Sequence, residues 1–456
     1  MLTRIEIDGF KSFDRFALDL PPFLVVLGQN ASGKSNLFDA IQLLRRLASD
    51  KTLQDAFEGA RGDLTELFRR RGDGTSVTRM RFAVEVLLEP MVVDPFGQES
   101  PVGQTRLRYE VEIESRVLKA DGFIRPFVVH ESVVPIQEHS DAWTTRQDLS
   151  DEFRLHKLRY GRQAPLLTTV TDGKGRRSFK IVEGHGQELP GFGAGATVLS
   201  SVTSVAEFPL LFALRRELES WRFLQLDPAA LRLPASGKRP GDQLESSGAN
   251  LPGVLRRIEQ STRDPFGSGL DEIATDLARV VRGFAGVEVT EDKPSGSWEV
   301  HLTTRDEGRV NARVASDGTL RVLAMLAALY DPQYRGMLCF EEPENGIFPQ
   351  RLRSLVLLLK ELVTDPGSQN PGVVGEPMSQ VILTSHSPLM LAVLEPRDVV
   401  VMDWVSRVEQ GERASRLSRV RALRGSGESD LDLLSQPEQR ELLAISKDEA
   451  SRLLEA

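Results

Sequence analysis

The sequence predicts an α/β fold with a mixed or parallel core sheet and flanking helices, plus an antiparallel β-sheet region and a helical lobe. A continuous apolar run, Phe23-Leu-Val-Val-Leu27, is typical of a strand buried on both faces, and it leads through a glycine-containing loop into apolar residues at helical spacing. Residues 76–185 instead alternate apolar and polar side chains, which predicts antiparallel strands. From 206 to 285 the apolar residues recur at three- and four-residue steps, as in helices.

The composition excludes several classes of protein. The 456 residues carry 57 Lys and Arg against 66 Asp and Glu, a net charge of −9, which excludes a histone-like nucleic-acid coat but leaves room for a local basic groove. The single cysteine, Cys339, excludes an internal disulfide framework and a cysteine-rich zinc site. No apolar run approaches the roughly 18 residues that cross a bilayer, and the first ten residues lack a signal-peptide pattern. We therefore expect a cytoplasmic protein with no membrane partner.

The loop after the first buried strand carries the strongest chemical signal. It reads Gly28-Gln29-Asn30-Ala31-Ser32-Gly33-Lys34-Ser35 and fits the pattern G-x-x-x-x-G-K-[ST]. The glycines let successive backbone N–H groups face a phosphate, Lys34 can reach the β- and γ-phosphates, and Ser35 can ligate Mg²⁺. The following helix points its positive N-terminus at the same anion. The spacing predicts a nucleotide site rather than an ordinary glycine turn with an exposed lysine.

Two adjacent carboxylates end a second apolar strand. Glu341 and Glu342 follow Met337-Leu-Cys-Phe340, at the C-terminal end of the strand, where α/β sheets bind ligands. One carboxylate can hold Mg²⁺ and the next can orient or deprotonate the water that attacks a γ-phosphate. We assign Glu341 to the metal and Glu342 to the water. Alone, such a pair is more often a solvated strand edge, but together with the phosphate loop it predicts a hydrolytic site.

Two further motifs precede helices. Val381-Ile-Leu-Thr384 leads to Ser385 and His386, and this histidine either caps the next helix or contacts the γ-phosphate or the attacking water. Its position after the other motifs favours the second role. Ser316-Asp317-Gly318 fits a generic helix N-cap. An exposed helix N-terminus can also close on the phosphate of a nucleotide held by another subunit.

In this order the four motifs resemble the ATP-binding-cassette (ABC) ATPases, specifically the branch of SMC, RecF and overcoming-lysogenization-defect (OLD) proteins. Similar to that branch are the opening Ile5-Glu-Ile-Asp-Gly-Phe-Lys-Ser-Phe13, the flanking Asn30 and Asn36, and Glu-Glu-Pro-Glu-Asn-Gly-Ile from residue 341. Compact stand-alone AAA-family predicted ATPases of bacteria also carry Trp221-Arg-Phe-Leu-Gln-Leu-Asp-Pro and Gly248-Ala-Asn-Leu. The resemblance spans residues 1–50 and 205–405 and implies a P-loop NTPase fold of ABC-ATPase type that binds ATP and Mg²⁺.

The resemblance also implies individual roles. Residues 28–36 would bind the nucleotide, and Ser316, Asp317 and Gly318 would form the signature motif that acts across an ATP-sandwiched homodimer. His386 would be the switch histidine, while Glu344 and Asn345 would begin the loop that contacts the second copy. Gln225 is a loosely aligned candidate for the Mg²⁺-sensing glutamine.

The sequence departs from the usual family pattern at two positions. Asp317 stands where the signature motif normally has the first of two glycines. Phe348 stands where many relatives have a histidine. Both positions fall in segments that the resemblance assigns to contact with a second copy.

The motifs divide the chain into four segments. We predict an ATP-binding core from residues 1–75 and 286–405, an inserted antiparallel β region at 76–205, a helical lobe at 206–285 and a C-terminal extension at 406–456. No heptad run of coiled-coil length is present in the sequence. Because about 70 residues follow His386, we expect no nuclease domain of the kind that OLD nucleases append.

These features predict an ATP hydrolase that couples ATP binding and hydrolysis to control of a separately encoded effector, a nuclease or a toxin, in DNA transactions or antiphage defence. One alternative is a RecF-like DNA-repair ATPase that contacts DNA directly. Its candidate contacts are Arg69-Arg70-Arg71 and the arginines between Arg407 and Arg424. The other alternative is a low-turnover scaffold whose ATP-bound state is the active form.

Overall fold

The computed structural model describes residues 1–118, 122–236, 243–265, 267–332, 336–408, 414–424 and 444–455. Residues 237–242 of the predicted helical lobe, and Arg413 of the arginine stretch between Arg407 and Arg424, lie outside this part of the chain. The strands, in chain order, are β1 (Leu2–Asp8), β2 (Phe16–Asp19), β3 (Phe23–Leu27), β4 (Arg79–Leu87), β5 (Met91–Val93), β6 (Glu99–Pro101), β7 (Arg106–Val117), β8 (Ile124–Pro135), β9 (Leu167–Thr171), β10 (Arg177–Ile181), β11 (Gln187–Pro190), β12 (Arg222–Leu224), β13 (Ala235–Ser236), β14 (Phe284–Asp292), β15 (Ser297–Thr304), β16 (Gly308–Asn311), β17 (Gly336–Glu341), β18 (Ser379–Ser385), β19 (Val399–Arg407), β20 (Ser415–Leu423) and β21 (Ala444–Ile445).

The α-helices are α1 (Lys34–Ser49), α2 (Leu53–Glu58), α3 (Leu64–Leu67), α4 (Ala142–Arg146), α5 (Asp151–Lys157), α6 (Val198–Ser201), α7 (Pro209–Glu219), α8 (Pro228–Leu231), α9 (Leu251–Thr262), α10 (Gly269–Val280), α11 (Asp317–Tyr330), α12 (Pro349–Glu361), α13 (Pro371–Gly375), α14 (Leu389–Val393) and α15 (Lys447–Glu455). The longest of these described helices, α1, has 16 residues. The described chain therefore has no long coiled coil, as predicted. It also contains no helix with the length and apolar character needed to span a membrane.

A seven-stranded mixed sheet forms the centre of the fold, in the order β12-β17-β18-β3-β19-β20-β21. The first five of these strands are parallel to their neighbours, and β20 runs antiparallel to β19. All five residues of β3 are buried, because the sheet is covered on both faces. This arrangement, together with the helices around it, confirms the predicted α/β fold class.

An eight-stranded antiparallel sheet forms a second layer, in the order β11-β10-β9-β8-β7-β4-β1-β2. Helix α1 lies between the two large sheets. Its side chains Leu37, Ile41 and Leu44 share one hydrophobic cluster with Ile5 of the antiparallel sheet and Val26 of the core sheet. The helix that follows the phosphate loop is thus held from both sides by apolar packing.

A second hydrophobic cluster covers the opposite face of the core sheet. It joins Val25 and Phe340 of that sheet to helices α9 to α12. A small four-stranded sheet, β13-β15-β14 with β16 paired to β15, contributes Val287 and Leu302 to the same cluster. The helical lobe predicted from residue 206 onward therefore packs directly against the core, and its β12 is part of the core sheet.

Two segment boundaries differ from the predicted ones. Strands β1 and β2, assigned to the ATP-binding core, pair with β4 and belong to the antiparallel sheet of the predicted insertion. Strand β20, assigned to a C-terminal extension, pairs along its length with β19 and belongs to the core sheet. Both differences have the same cause: strand membership depends on which strand supplies the backbone partners, the distant β4 for β1 and the preceding β19 for β20, and apolar alternation does not specify this partner.

A buried carboxylate ties the antiparallel sheet to the end of α1. Glu131 on β8 is fully buried and accepts hydrogen bonds from the backbone N–H groups of Val198 (2.6 Å) and Leu199 (3.0 Å) at the start of α6. Next to them, Thr197 donates its hydroxyl to the carbonyl of Leu47 in α1, at 2.6 Å. Burial raises the pKa of Glu131 from 4.5 to about 7, although the two N–H donors oppose this shift.

We expect Glu131→Gln to flatten the pH dependence of stability. Between pH 4.5 and about 7 the folded chain holds a proton on Glu131 that the unfolded chain has released, so the free energy of unfolding should fall as pH rises through this window. The variant lacks that slope. It should also be less stable by about 1–3 kcal/mol, because an amide nitrogen then faces a backbone donor.

Urea unfolding across this pH range measures the effect, with Glu188→Gln on the exposed surface of β11 as the matched control. Equal pH slopes in the wild type and in Glu131→Gln would contradict a buried titrating carboxylate at this position.

Candidate functional site

Three neighbouring parallel strands end at one edge of the core sheet and bring the predicted motifs together. β3 ends before the phosphate loop, β18 before His386 and β17 at Glu341. Backbone hydrogen bonds continue past the strand ends: the N–H of Gly28 donates to the carbonyl of Ser385 at 3.2 Å, and that of Glu342 to Thr384 at 2.9 Å. The three motifs therefore have fixed relative positions, at the edge where parallel sheets bind ligands.

The phosphate loop, residues 28–33, wraps around the Lys34 side chain. Lys34 is 7% exposed, and its ammonium donates to the carbonyl oxygens of Gly28 (2.6 Å) and Gln29 (3.0 Å). Burial lowers the pKa of Lys34, and the nearby carboxylates, Glu342 foremost, oppose the shift. At the tip of the loop Asn30 and Ala31 are exposed, while Ser32 is buried. Because the ammonium lies inside the loop, it is placed where a phosphate held by the loop would meet it.

A chain of hydroxyl groups supports the loop from behind. Asn36 donates to the hydroxyl of Ser12 at 2.9 Å, the hydroxyls of Ser12 and Ser418 lie 2.7 Å apart, and Ser418 donates to the carbonyl of Ser32 at 2.8 Å. A Cβ atom on Gly33, whose φ is +109°, would lie 2.0 Å from the Ser418 hydroxyl. The side chain of Asn36, predicted to bind nucleotide, is thus engaged in holding the loop.

The predicted metal ligands lie together. Burial raises the pKa of the Glu341 carboxyl group, and Arg61 and the nearby Ser35 hydroxyl oppose this shift. The part of the chain that the structure describes has no cluster of three or more His, Cys, Asp or Glu side chains that could hold a metal. One hydroxyl and one carboxylate oxygen suit Mg²⁺, which keeps several waters and takes phosphate oxygens as further ligands.

Glu342 and His386 face each other at the same edge. The backbone of Glu342 has φ of +46°, and its carboxylate accepts a hydrogen bond from the Asn345 amide at 2.9 Å. The Nδ1 atom of His386 lies 3.7 Å from Oε1 of Glu342. Side-chain exposures of 35% for Glu342 and 50% for His386 leave both groups accessible to a ligand.

The predicted signature motif begins α11. Ser316 accepts a hydrogen bond from the backbone N–H of Thr319 at 3.2 Å, and Arg232 donates to the exposed carboxylate of Asp317 at 2.6 Å. A Cβ atom on Gly318 would lie 2.2 Å from the carbonyl oxygen of Gly346. The position after Asp317 therefore requires glycine, whereas the exposed position of Asp317 does not.

Gln225, the candidate for sensing Mg²⁺, follows β12 and is exposed. It lines a cavity of about 240 Å³ together with Glu341, Asp39, Gln42 and Arg61. The structure thus places Gln225 beside the predicted metal ligand. Phe348 is elsewhere, at the start of α12, where its ring is 67% exposed.

Sequence reasoning missed the support of the loop by Ser418 and the contact between Gly318 and Gly346. Ser418 and Ser32 are 386 residues apart in the chain, so no local pattern could have paired them. Ser12 lies within the opening segment that resembles the family. The resemblance draws attention to this segment, but it does not predict that Ser12 contacts Ser418.

Comparison with known proteins shows the family to which this chain belongs. The family described as "AAA domain, putative AbiEii toxin, Type IV TA system" matches residues 23–86 and 201–392, more than half of the chain. The chain belongs to this family. The matched residues include the phosphate loop, the acidic pair and His386, while most of the antiparallel sheet lies outside the match.

Individual relatives match over shorter stretches. A chromosome partition protein Smc of Methanocaldococcus jannaschii is 44% identical over 54 residues, 12% of this chain and 5% of that protein. A DNA replication and repair protein RecF of Acidothermus cellulolyticus is 43% identical over 56 residues, 12% of this chain and 15% of that protein. The predicted relationship of this AAA-domain protein to ABC-type ATPases of the SMC and RecF branch is confirmed.

A crystal structure of the SmcHead bound to the C-winged helix domain of ScpA is 13% identical, covers 91% of this chain and 98% of its own, and has a TM-score of 0.48.

Because a Cβ atom at Gly33 would meet Ser418, we expect Gly33→Ala to lower the free energy of unfolding by about 1–3 kcal/mol, through overpacking and the strain of alanine at positive φ. Adding Ser418→Ala should recover part of this loss, since the contact with the hydroxyl is removed while the contact with the Cβ atom of residue 418, at 2.8 Å, and the strain remain. Urea unfolding of the two single variants and the double variant measures the coupling. Strictly additive effects would show that the two side chains do not meet.

Proposed function

We propose that this AAA-domain protein is a Mg²⁺-dependent ATPase that closes as an ATP-sandwiched homodimer and thereby controls a separately encoded partner. The observation that carries the proposal is the common edge at which Lys34, the Ser35–Glu341 pair and the Glu342–His386 pair meet. A buried cation, two oxygen ligands and a half-exposed carboxylate are the groups that phosphoryl transfer to water requires.

In this proposal the phosphate loop positions ATP and the acidic turn activates water. Lys34 would exchange its bonds to the Gly28 and Gln29 carbonyls for β- and γ-phosphate oxygens. Mg²⁺ held by Ser35 and Glu341 would neutralise charge on the phosphates. Glu342 would accept the proton of the attacking water, and His386 would contact that water or the γ-phosphate.

The surface around the signature motif supports a second copy as the closing element. Val314 is 78% exposed just before Ser316, and Phe348 is 67% exposed just after the turn that Gly318 contacts. Exposed apolar side chains around the signature motif favour an interface that excludes water. The ATP-dependent contact would be the difference between the open and closed states.

The partner is proposed to be a separately encoded effector, a nuclease or a toxin, in a DNA-transaction or antiphage-defence system. The family description names a putative toxin of a type IV TA system, which supports a function that involves a second component. The net charge of −9 makes a protein partner at least as suitable as DNA.

A RecF-like ATPase that binds DNA directly is the second candidate, favoured by the names of the two curated relatives. The arginine stretches give it less support. Arg69 is buried and pairs with Asp14 at 3.2 Å, and Arg419 donates to Asp403 at 2.6 Å. Duplex binding that requires ATP and weakens steeply with salt would favour this candidate over a protein partner.

We expect Glu342→Gln to retain ATP binding and to lose hydrolysis by about 100-fold or more, since the general base is removed while the phosphate loop stays intact. With ATP the variant should accumulate as a dimer in light scattering. Glu272→Gln, on the exposed side of α10, is the matched control and should hydrolyse ATP like the wild type.

A monomer under all conditions would refute the sandwich, and undiminished hydrolysis would refute the role of Glu342. The same variant separates turnover from scaffolding in cells. Retained biological function without hydrolysis would favour the low-turnover scaffold.

A further inference from the structure

We propose that Glu344 is a positioning residue that fixes His386 for ATP hydrolysis; this inference rests on the proposed function. Glu344 follows the acidic pair, and family resemblance alone places it at the start of a loop that contacts the second copy. Its side chain is only 10% exposed and points back into its own chain. Oε1 of Glu344 accepts hydrogen bonds from the hydroxyl of Ser385 at 2.5 Å and from the backbone N–H of His386 at 3.1 Å.

These bonds hold the turn at the end of β18 on both sides of His386. The Ser385 hydroxyl, which donates to Glu344, also accepts a hydrogen bond from the backbone N–H of Ser387 at 3.0 Å. Glu344 is therefore bonded directly to the backbone of His386 and, through Ser385, to the residue after it. The carboxylate spans two strand ends, since Glu344 follows β17 and His386 follows β18.

The same carboxylate lies beside the imidazole. Nδ1 of His386 is 3.5 Å from Oε1 of Glu344 and 3.7 Å from Oε1 of Glu342. Nδ1 of the ring thus lies close to both the proposed base and the positioning carboxylate. The Oε2 atom of Glu344 is buried and has no hydrogen-bond partner among the described residues, so the atoms that matter for this role are Oε1 and its two donors.

The role differs from that of a general base. Because Glu344 acts through an acceptor oxygen, a neutral amide of the same shape can replace the carboxylate. In Glu344→Gln the amide oxygen can accept hydrogen bonds from Ser385 and His386, as Oε1 does. The amide nitrogen then takes the position of Oε2. Glu344→Ala removes the acceptor and leaves the turn around His386 without support. A displacement of about 1 Å in a catalytic group can cost about 100-fold in rate.

The first measurement is independent of ATP hydrolysis. In hydrogen-exchange mass spectrometry of the full chain, the peptide containing His386 should exchange faster in Glu344→Ala than in the wild type, and Glu344→Gln should restore most of the protection. The exposed Glu272→Ala is the control and should leave this peptide unchanged. Unchanged exchange in Glu344→Ala would overturn the proposal, whether or not the protein hydrolyses ATP.

The second measurement is steady-state hydrolysis. We expect Glu344→Ala to lower kcat by about 10- to 100-fold with KM for ATP nearly unchanged, and Glu344→Gln to stay within about threefold of the wild type. In a His386→Ala background Glu344→Ala should add little, because its effect passes through His386. A full additive loss, or a glutamine variant as inactive as the alanine variant, would overturn the positioning role. If the wild type does not hydrolyse ATP, the proposed function is refuted. The hydrogen-exchange measurement then still tests whether Glu344 fixes the turn around His386.

Discussion

The parallel alignment of β17, β18 and β3 is the constraint on which the candidate site depends. Parallel neighbours end on the same side, so the residues that follow them come together whatever the length of chain between them. Here the register pairs Glu341 with Thr384 and Ser385 with Leu27, and two backbone hydrogen bonds extend the ladder beyond the strands. The acidic turn, the histidine turn and the phosphate loop therefore form one rigid edge.

Around this edge, side chains from distant segments hold each loop in place. The phosphate loop is supported by Ser418 of the β19–β20 hairpin and by Ser12 of the N-terminal segment. The acidic turn is in contact with the start of α11 through Gly318 and Gly346, so the predicted signature motif and the proposed catalytic base belong to one packed unit. A second copy that engages the signature motif would press on a segment directly connected to Glu342.

The antiparallel sheet packs against helix α1, which follows the phosphate loop. It covers one side of α1, while the core sheet covers the other, and Glu131 and Thr197 fix the far end of the helix through hydrogen bonds. The site helix is thus enclosed in two layers. The rigid position of Ser35 at its first turn follows from this enclosure, since the helix cannot shift without disturbing both sheets.

The sequence by itself determined the local units and their chemistry. The fully apolar β3, the glycine pattern of residues 28–35 and the carboxylates Glu341 and Glu342 each follow from residue type and spacing, because a strand, a phosphate loop and a strand end are built from neighbouring residues. The fold class could be predicted on this basis, and the relationship to the SMC and RecF branch from the resemblance of these motifs to that family.

Only the tertiary structure decided which distant segments complete these units. Four contacts join residues that are far apart in the chain: the pairing of β1 with β4, the hydrogen bond from Ser418 to Ser32, the close approach of Gly318 and Gly346, and the hydrogen bond from His386 to Glu344. Such contacts are set by strand pairing and close packing over the whole fold, which no local periodicity encodes.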